Sequence, residues 1–156
     1  MAKSCYVRIE WKIHRKQTVY EAIKIMSANN IGALGITDDK GVVVGVVSER
    51  DYLNKVGLMG RTSKDTLVES IGTMGVGNLK SVTLDNPIDK CMNKMIASNV
   101  RHLFVRENGA KHHEAVKFIG MISVKDVVKC AIEKHNAVVN QLTGFIVNSE
   151  QMRRDV

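Results

Sequence analysis

Nowhere in the 156 residues does an apolar run approach the roughly 18 to 20 residues that a membrane-spanning helix needs. The opening MAKSCYVRIEWKIHRK has no apolar centre of the kind a secretory signal carries. Both absences predict a soluble, intracellular chain without a membrane partner. The same opening is basic and nearly free of acid, which also suits the tail of an organelle transit peptide, so cytoplasm and mitochondrial matrix are both open. Cysteine is scarce: Cys5, Cys91 and Cys130 are odd in number, far apart and in no CxxC pair, which excludes a disulfide framework and a thiolate zinc site. Aromatic residues make up only 4% of the chain, too few for the ring-studded basic groove of single-strand nucleic-acid binders. No Ser/His/Asp, Cys/His or paired-carboxylate set can be assembled, so no catalytic nucleophile is expected and the chain is read as a non-enzyme. The run HHE at 112–114 places adjacent side chains in an extended loop, where they point apart, and is read as polar loop rather than metal site. GTMGVG at 72–77 lacks the lysine of a phosphate-binding loop and is read as linker.

What is present is an average soluble composition, 44% hydrophobic and 25% charged, in a chain of 17.3 kDa. That is enough for one globular unit or for two small halves that depend on each other. The net charge of +7 favours anionic partners without choosing among nucleic acid, membrane surface and phosphate ligands.

Internal repetition is more specific. The segment TVYEAIKIMSANNIGALGI from Thr18 aligns without a gap on PIDKCMNKMIASNVRHLFV from Pro87, an offset of 69 positions that puts Met26 on Met95, Asn30 on Asn99 and Leu34 on Leu103. Further on, GVVSERD at 45–51 is echoed by GMISVKD at 120–126, an offset of 75. The six extra residues fall in RENGAKHHEAVKF, a polar stretch containing Gly109 that reads as a longer hairpin loop than TDDKG in the first half.

Apolar residues at helical spacing, Val19, Ala22, Ile23 and Met26, then Ile88, Cys91, Met92, Met95 and Ile96, predict two equivalent amphipathic helices, with Pro87 suited to a first helical turn. Short β-branched runs predict buried strands at 33–37 and 42–47, and again at 102–105 and 117–122. Lead-in strands at 12–14 and 81–83 complete a β-α-β-β-α order in each half. The fold class is therefore α/β, with one repeat over 10–70, a second over 71–135 and a helical extension and tail over 136–156, the two repeats packed sheet to sheet because neither alone covers its small sheet.

The repeated Gly-x-x-Ser-x-x-Asp turn has two compatible readings. Ser48 with Asp51, and Ser123 with Asp126, are capping boxes, a hydroxyl at the N-cap and an acid three residues on. They also suit a ligand: Gly lets it approach the backbone, serine and the free amides of a helix start favour phosphate, and a carboxylate accepts both hydrogen bonds of a ribose diol.

These turns, the segment NVRHLFV at 99–105 and the twice-written helix resemble cystathionine-β-synthase (CBS) domains, and the pair resembles a Bateman module of the stand-alone CBS-pair type. Phe104 stands where that family usually has proline, and SIGTMG at 70–75 replaces its usual Ile-Met-Thr entry to the second unit. The resemblance implies a regulatory module that binds AMP, ADP, ATP or a related adenine ligand in clefts between the repeats. Carried over by residue, one site joins Ser48 and Asp51 to Thr83, Arg101 and His102. The other joins Ser123 and Asp126 to His14, Ile31, Gly32 and Ala33, while Arg50 and Lys125 add charge to either. A scaffold with empty clefts and a basic nucleic-acid binder remain as alternatives.

The last helix carries an apolar stripe through Val127, Val128, Ala131, Ile132, Val138, Val139, Leu142, Phe145 and Ile146, beyond what a CBS unit needs. Either the helix folds back on its own module or it pairs with a second copy in a homodimer, which the resemblance also implies. An unidentified regulated protein is the remaining expected partner.

Overall fold

Two hydrogen-bonded sheets, one from each half of the chain, face one another in the computed structural model, which describes residues 10–108 and 116–154, with side chains described as far as residue 146. The first half runs β1 (Lys12–His14), α1 (Val19–Asn29), β2 (Ala33–Thr37), β3 (Val43–Ser48) and α2 (Glu49–Tyr52), which continues through a π-helical turn (Leu53–Gly57). A short α3 (Val68–Ile71), β4 (Thr73–Met74) and a 3-10 turn (Val76–Asn78) follow. The second half repeats the plan with β5 (Ser81–Thr83), α4 (Ile88–Ala97), β6 (His102–Arg106), β7 (Phe118–Ser123) and α5 (Val124–Arg154). The strand orders are β1-β2-β3-β4 and β5-β6-β7, with the lead-in strand parallel to the next and the hairpin antiparallel in both. The HHE run, Gly109 and Cys5 lie outside the described residues.

Local chemistry explains the repetition. Thr18 caps α1 in a box with Glu21, and α1 stops at Asn30, whose left-handed backbone (φ 52°) lets the Ile31 amide reach back to the Met26 carbonyl at 3.0 Å. Asn99 does the same after α4 at φ 49°, with Val100 bonded to Met95 at 3.0 Å. Pro87 stands one place before its expected position, as the N-cap of α4. Val42 and Lys117 stay out of their strands. Val42 is held in the hairpin turn by Asp38, whose amide and carboxylate both bond it at 2.9 Å.

Each half has its own core. Val19, Ala22 and Met26 from α1 pack on Leu34, Ile36 and Val47, and Cys91 and Met95 from α4 pack on Leu103 and Val105. A third cluster joins them: Val43, Leu79, Phe104 and Phe118, flanked by Trp11, Val46 and Met121. Here Phe104 packs at a tilt against Phe118 (centroids 4.9 Å apart) and meets Trp11 edge-on at 6.3 Å. A β-carbon on Gly35 would lie 3.2 Å from both the Phe104 and Trp11 rings. Gly35 and Phe104 are equivalent positions of the repeat, so a glycine on one sheet makes room for the phenylalanine on the other.

Ile71 packs into the first core and β4 pairs with β3, which ties the stretch between the repeats to the first sheet. That pairing accounts for Gly45, which the ligand reading assigned to close ligand approach. A β-carbon there would come within 2.6 Å of the Met74 sulfur and 2.9 Å of the Thr73 carbonyl.

Candidate ligand-binding site

A cleft of about 960 Å³ opens where the start of β2 and the end of α1 face the β7–α5 turn across the module. The capping box at that turn is fully formed. The Ser123 amide and hydroxyl donate to Asp126 Oδ2 at 2.8 and 2.7 Å, and the Asp126 amide donates to Ser123 Oγ at 3.3 Å. The box fixes the carboxylate while using only one of its oxygens. Among the described residues, Asp126 Oδ1 has no hydrogen-bond partner, and Asp126 lines the cleft.

Around this carboxylate the wall is mixed. Arg101 and Lys125 bring positive charge, Glu49 a second acid, Asn29 and Asn30 neutral polar groups, and Trp11, Ile23, Met26 and Ile31 apolar surface. His102 lies directly across the strand pair from Ser123. Burial, more than the adjacent Arg101 charge, pushes its pKa below the ordinary 6.5, with Asp126 opposing weakly, so the ring is neutral at pH 7. The halves also approach closely at Gly32: a β-carbon there would sit 3.3 Å from the His102 ring of the other half, and 3.0 Å from Glu49 Oε2 of its own.

The cleft thus gathers Ser123, Asp126, Lys125, Ile31, Gly32 and Ala33, together with Arg101 and His102, which the sequence reading had grouped with Ser48 and Asp51. His14 and Thr83 stand elsewhere. Parallel pairing puts His14 beside Thr37 and Thr83 beside Arg106, at the far ends of β2 and β6 from the cleft, about 13 Å along the strands. His14 instead approaches Asp39 at 3.3 Å, and Thr83 Oγ1 accepts from Asn86 at 2.9 Å. Arg50 is exposed and away from the cleft wall; its neighbour Glu49 is the residue that lines it. Ser48 and Asp51 form a matching box at 3.0, 2.7 and 3.3 Å but do not line the cleft. Asp51 Oδ1 is held by Lys55 Nζ at 2.8 Å, and the same ammonium donates to the Ile71 carbonyl. Sequence reasoning missed Trp11, Glu49 and Lys55. Trp11 stands just before β1, and the parallel register makes it the residue nearest the cleft end of β2.

The CBS domain model matches twice, over residues 11–57 and 71–133. The chain belongs to the CBS-domain family. It is a tandem CBS pair of mixed α/β fold, the repeats packed as in solved CBS-pair structures. It is 33% identical over 132 residues to the mitochondrial CBS domain-containing protein CBSX3 of Arabidopsis thaliana, covering 83% of this chain but only 60% of the plant protein's length. A protein with CBS domains from Burkholderia ambifaria MC40-6 superimposes with a TM-score of 0.70 at 38% identity, covering 82% of this chain and 85% of that one. A CBS domain protein from Pyrobaculum aerophilum, solved in complex with AMP, shares the fold at 21% identity and a TM-score of 0.63, covering 76% of this CBS pair and 83% of that chain. No helix among the described residues of the pair is long and apolar enough to cross a membrane.

Proposed function

We propose that this CBS pair is a non-enzymatic regulatory module that binds an adenosine ligand, AMP, ADP or ATP, in the cleft beside Asp126. The observation that carries the reading is the pre-set carboxylate: Ser123 holds Asp126 by one oxygen, and the other is left to accept from a vicinal diol. Arg101, a planar permanent cation, and Lys125 suit the phosphate, while Trp11, Ile23 and Met26 suit the base. The AMP complex of a protein with the same fold is in keeping with this. Binding draws the two halves together around the ligand and shifts the balance between module arrangements that a regulated protein distinguishes. The compartment is the cytoplasm or the mitochondrial matrix, the plant relative being a mitochondrial protein.

Calorimetric titration with AMP, ADP and ATP tests the site. Micromolar binding to the wild type, weakened at least about 10-fold in Asp126→Ala through loss of a charged acceptor, is the expected result. Silence for all three nucleotides favours the second reading, a dimerising interaction module. That reading has its own observation in the exposed apolar stripe of α5, where Val138, Val139, Leu142, Phe145 and Ile146 are between 44% and 73% exposed. Steeply salt-dependent binding to random RNA would instead favour the nucleic-acid reading of the +7 charge.

A further inference from the structure

We infer that Lys55 closes the Asp51 half of the module, so that the pair takes one adenosine per chain, at Asp126, rather than two. The inference rests on the adenosine reading and concerns how many of its two equivalent carboxylates are available.

The two capping boxes agree to within 0.2 Å in every bond, so the difference between the halves does not lie in the boxes themselves. It lies one helical turn further on. In the first half the residue four beyond the acid is Lys55, whose ammonium takes the oxygen that Ser48 leaves free, at 2.8 Å, and is anchored a second time on the Ile71 carbonyl. In the second half the same position is Cys130, exposed and uncharged, and Asp126 keeps its second oxygen. Asp51, only 17% exposed, therefore has both oxygens committed, one of them to a cation.

A ribose diol is neutral. To bind Asp51 it would have to displace an ammonium that carries a full opposite charge with hydroxyls that carry none, and leave that ammonium with only its carbonyl partner. The repeats differ at a second place: where the second has Arg101 the first has Gly32, which brings no cation for a phosphate. Lys55 thus acts as an internal occupant of the first carboxylate, and the second repeat lacks one.

The experiment exchanges the two residues. Equilibrium dialysis with radiolabelled AMP measures stoichiometry in the wild type, Cys130→Lys, Cys130→Met, Lys55→Cys and Lys55→Cys/Asp51→Asn, with circular dichroism melts confirming that each is folded. The wild type should bind one equivalent. Cys130→Lys should weaken binding at least 10-fold, while Cys130→Met, of similar length without charge, keeps it. Lys55→Cys should gain a second, weaker equivalent that the added Asp51→Asn removes. Two equivalents in the wild type, full affinity in Cys130→Lys, or one equivalent in Lys55→Cys would each overturn the inference while leaving the adenosine reading intact. No binding in the wild type would end that reading, and this inference with it.

Discussion

His102, which lines the cleft, has its pKa lowered from the ordinary 6.5. Arg101 just before β6, Asp126 from α5 and Glu49 across the Gly32 contact are the charged groups around it. Its native pKa is depressed, chiefly by burial, so between that value and 6.5 the unfolded chain binds more protons than the native one. Stability therefore rises with pH through this window and is lost as pH falls below 6.5. The urea midpoint of the wild type should drop between pH 7.5 and pH 5.5, and His102→Asn, which cannot titrate, should show a shallower drop. Equal slopes in the two proteins would remove His102 as the cause. The residue scale also explains what the sequence could not reveal. Ser-x-x-Asp is visible as text because its partners are three residues apart. Whether the carboxylate's second oxygen is free depends on a lysine whose role needs the helix geometry and the distant Ile71 carbonyl.

Between the sheets, Phe104 meets the glycine that occupies its equivalent place in the other repeat. Phe104 is 3% exposed and contacts Trp11 and Phe118, so Phe104→Ala should destabilise the module by about 3 to 5 kcal/mol, read as a lower urea midpoint. Gly35→Ala crowds the Phe104 and Trp11 rings in the wild type, but in a Phe104→Leu background it fills part of the vacated space. The cost of the Gly35 change should accordingly shrink in the double variant, whereas additive costs would show that the two positions do not share this contact. The elements themselves were legible, because short β-branched runs, helical apolar spacing and a written-twice pattern all pointed the same way. Register was not. A three-residue lead-in strand carries too little pattern to say which end of β2 it meets, and that single choice moved His14 and Thr83 away from the cleft and brought Trp11 to it. The β4 pairing was hidden likewise, since two residues have no periodicity to read.

At the scale of the whole molecule the open balance is in α5, whose 31 residues, about 46 Å, begin within the turn that builds the site and run on beyond it. Its first turns are anchored: Val127 is buried in the second core, and Ala131, Lys134 and Val138 border a groove against Ile88 and Asp89 of α4. Beyond that groove the large apolar side chains described on the helix are exposed. Leu142 is 57% and Phe145 73% exposed, and residues 135–149 contain no Lys, Arg, Asp or Glu. A protein with seven excess positive charges gains solubility from them, yet this segment offers nothing to repel a second copy of itself. Two-fold pairing of the stripe covers it on both partners at once. Sedimentation velocity at tens of micromolar should therefore show a dimer for the wild type and a monomer for Phe145→Glu. Because that side chain makes little contact within its own chain, monomer stability should stay within about 0.5 kcal/mol of the wild type. An unchanged sedimentation coefficient in Phe145→Glu would mean that the stripe is not where two copies meet, and a change accompanied by unfolding would assign Phe145 to the module's own packing instead.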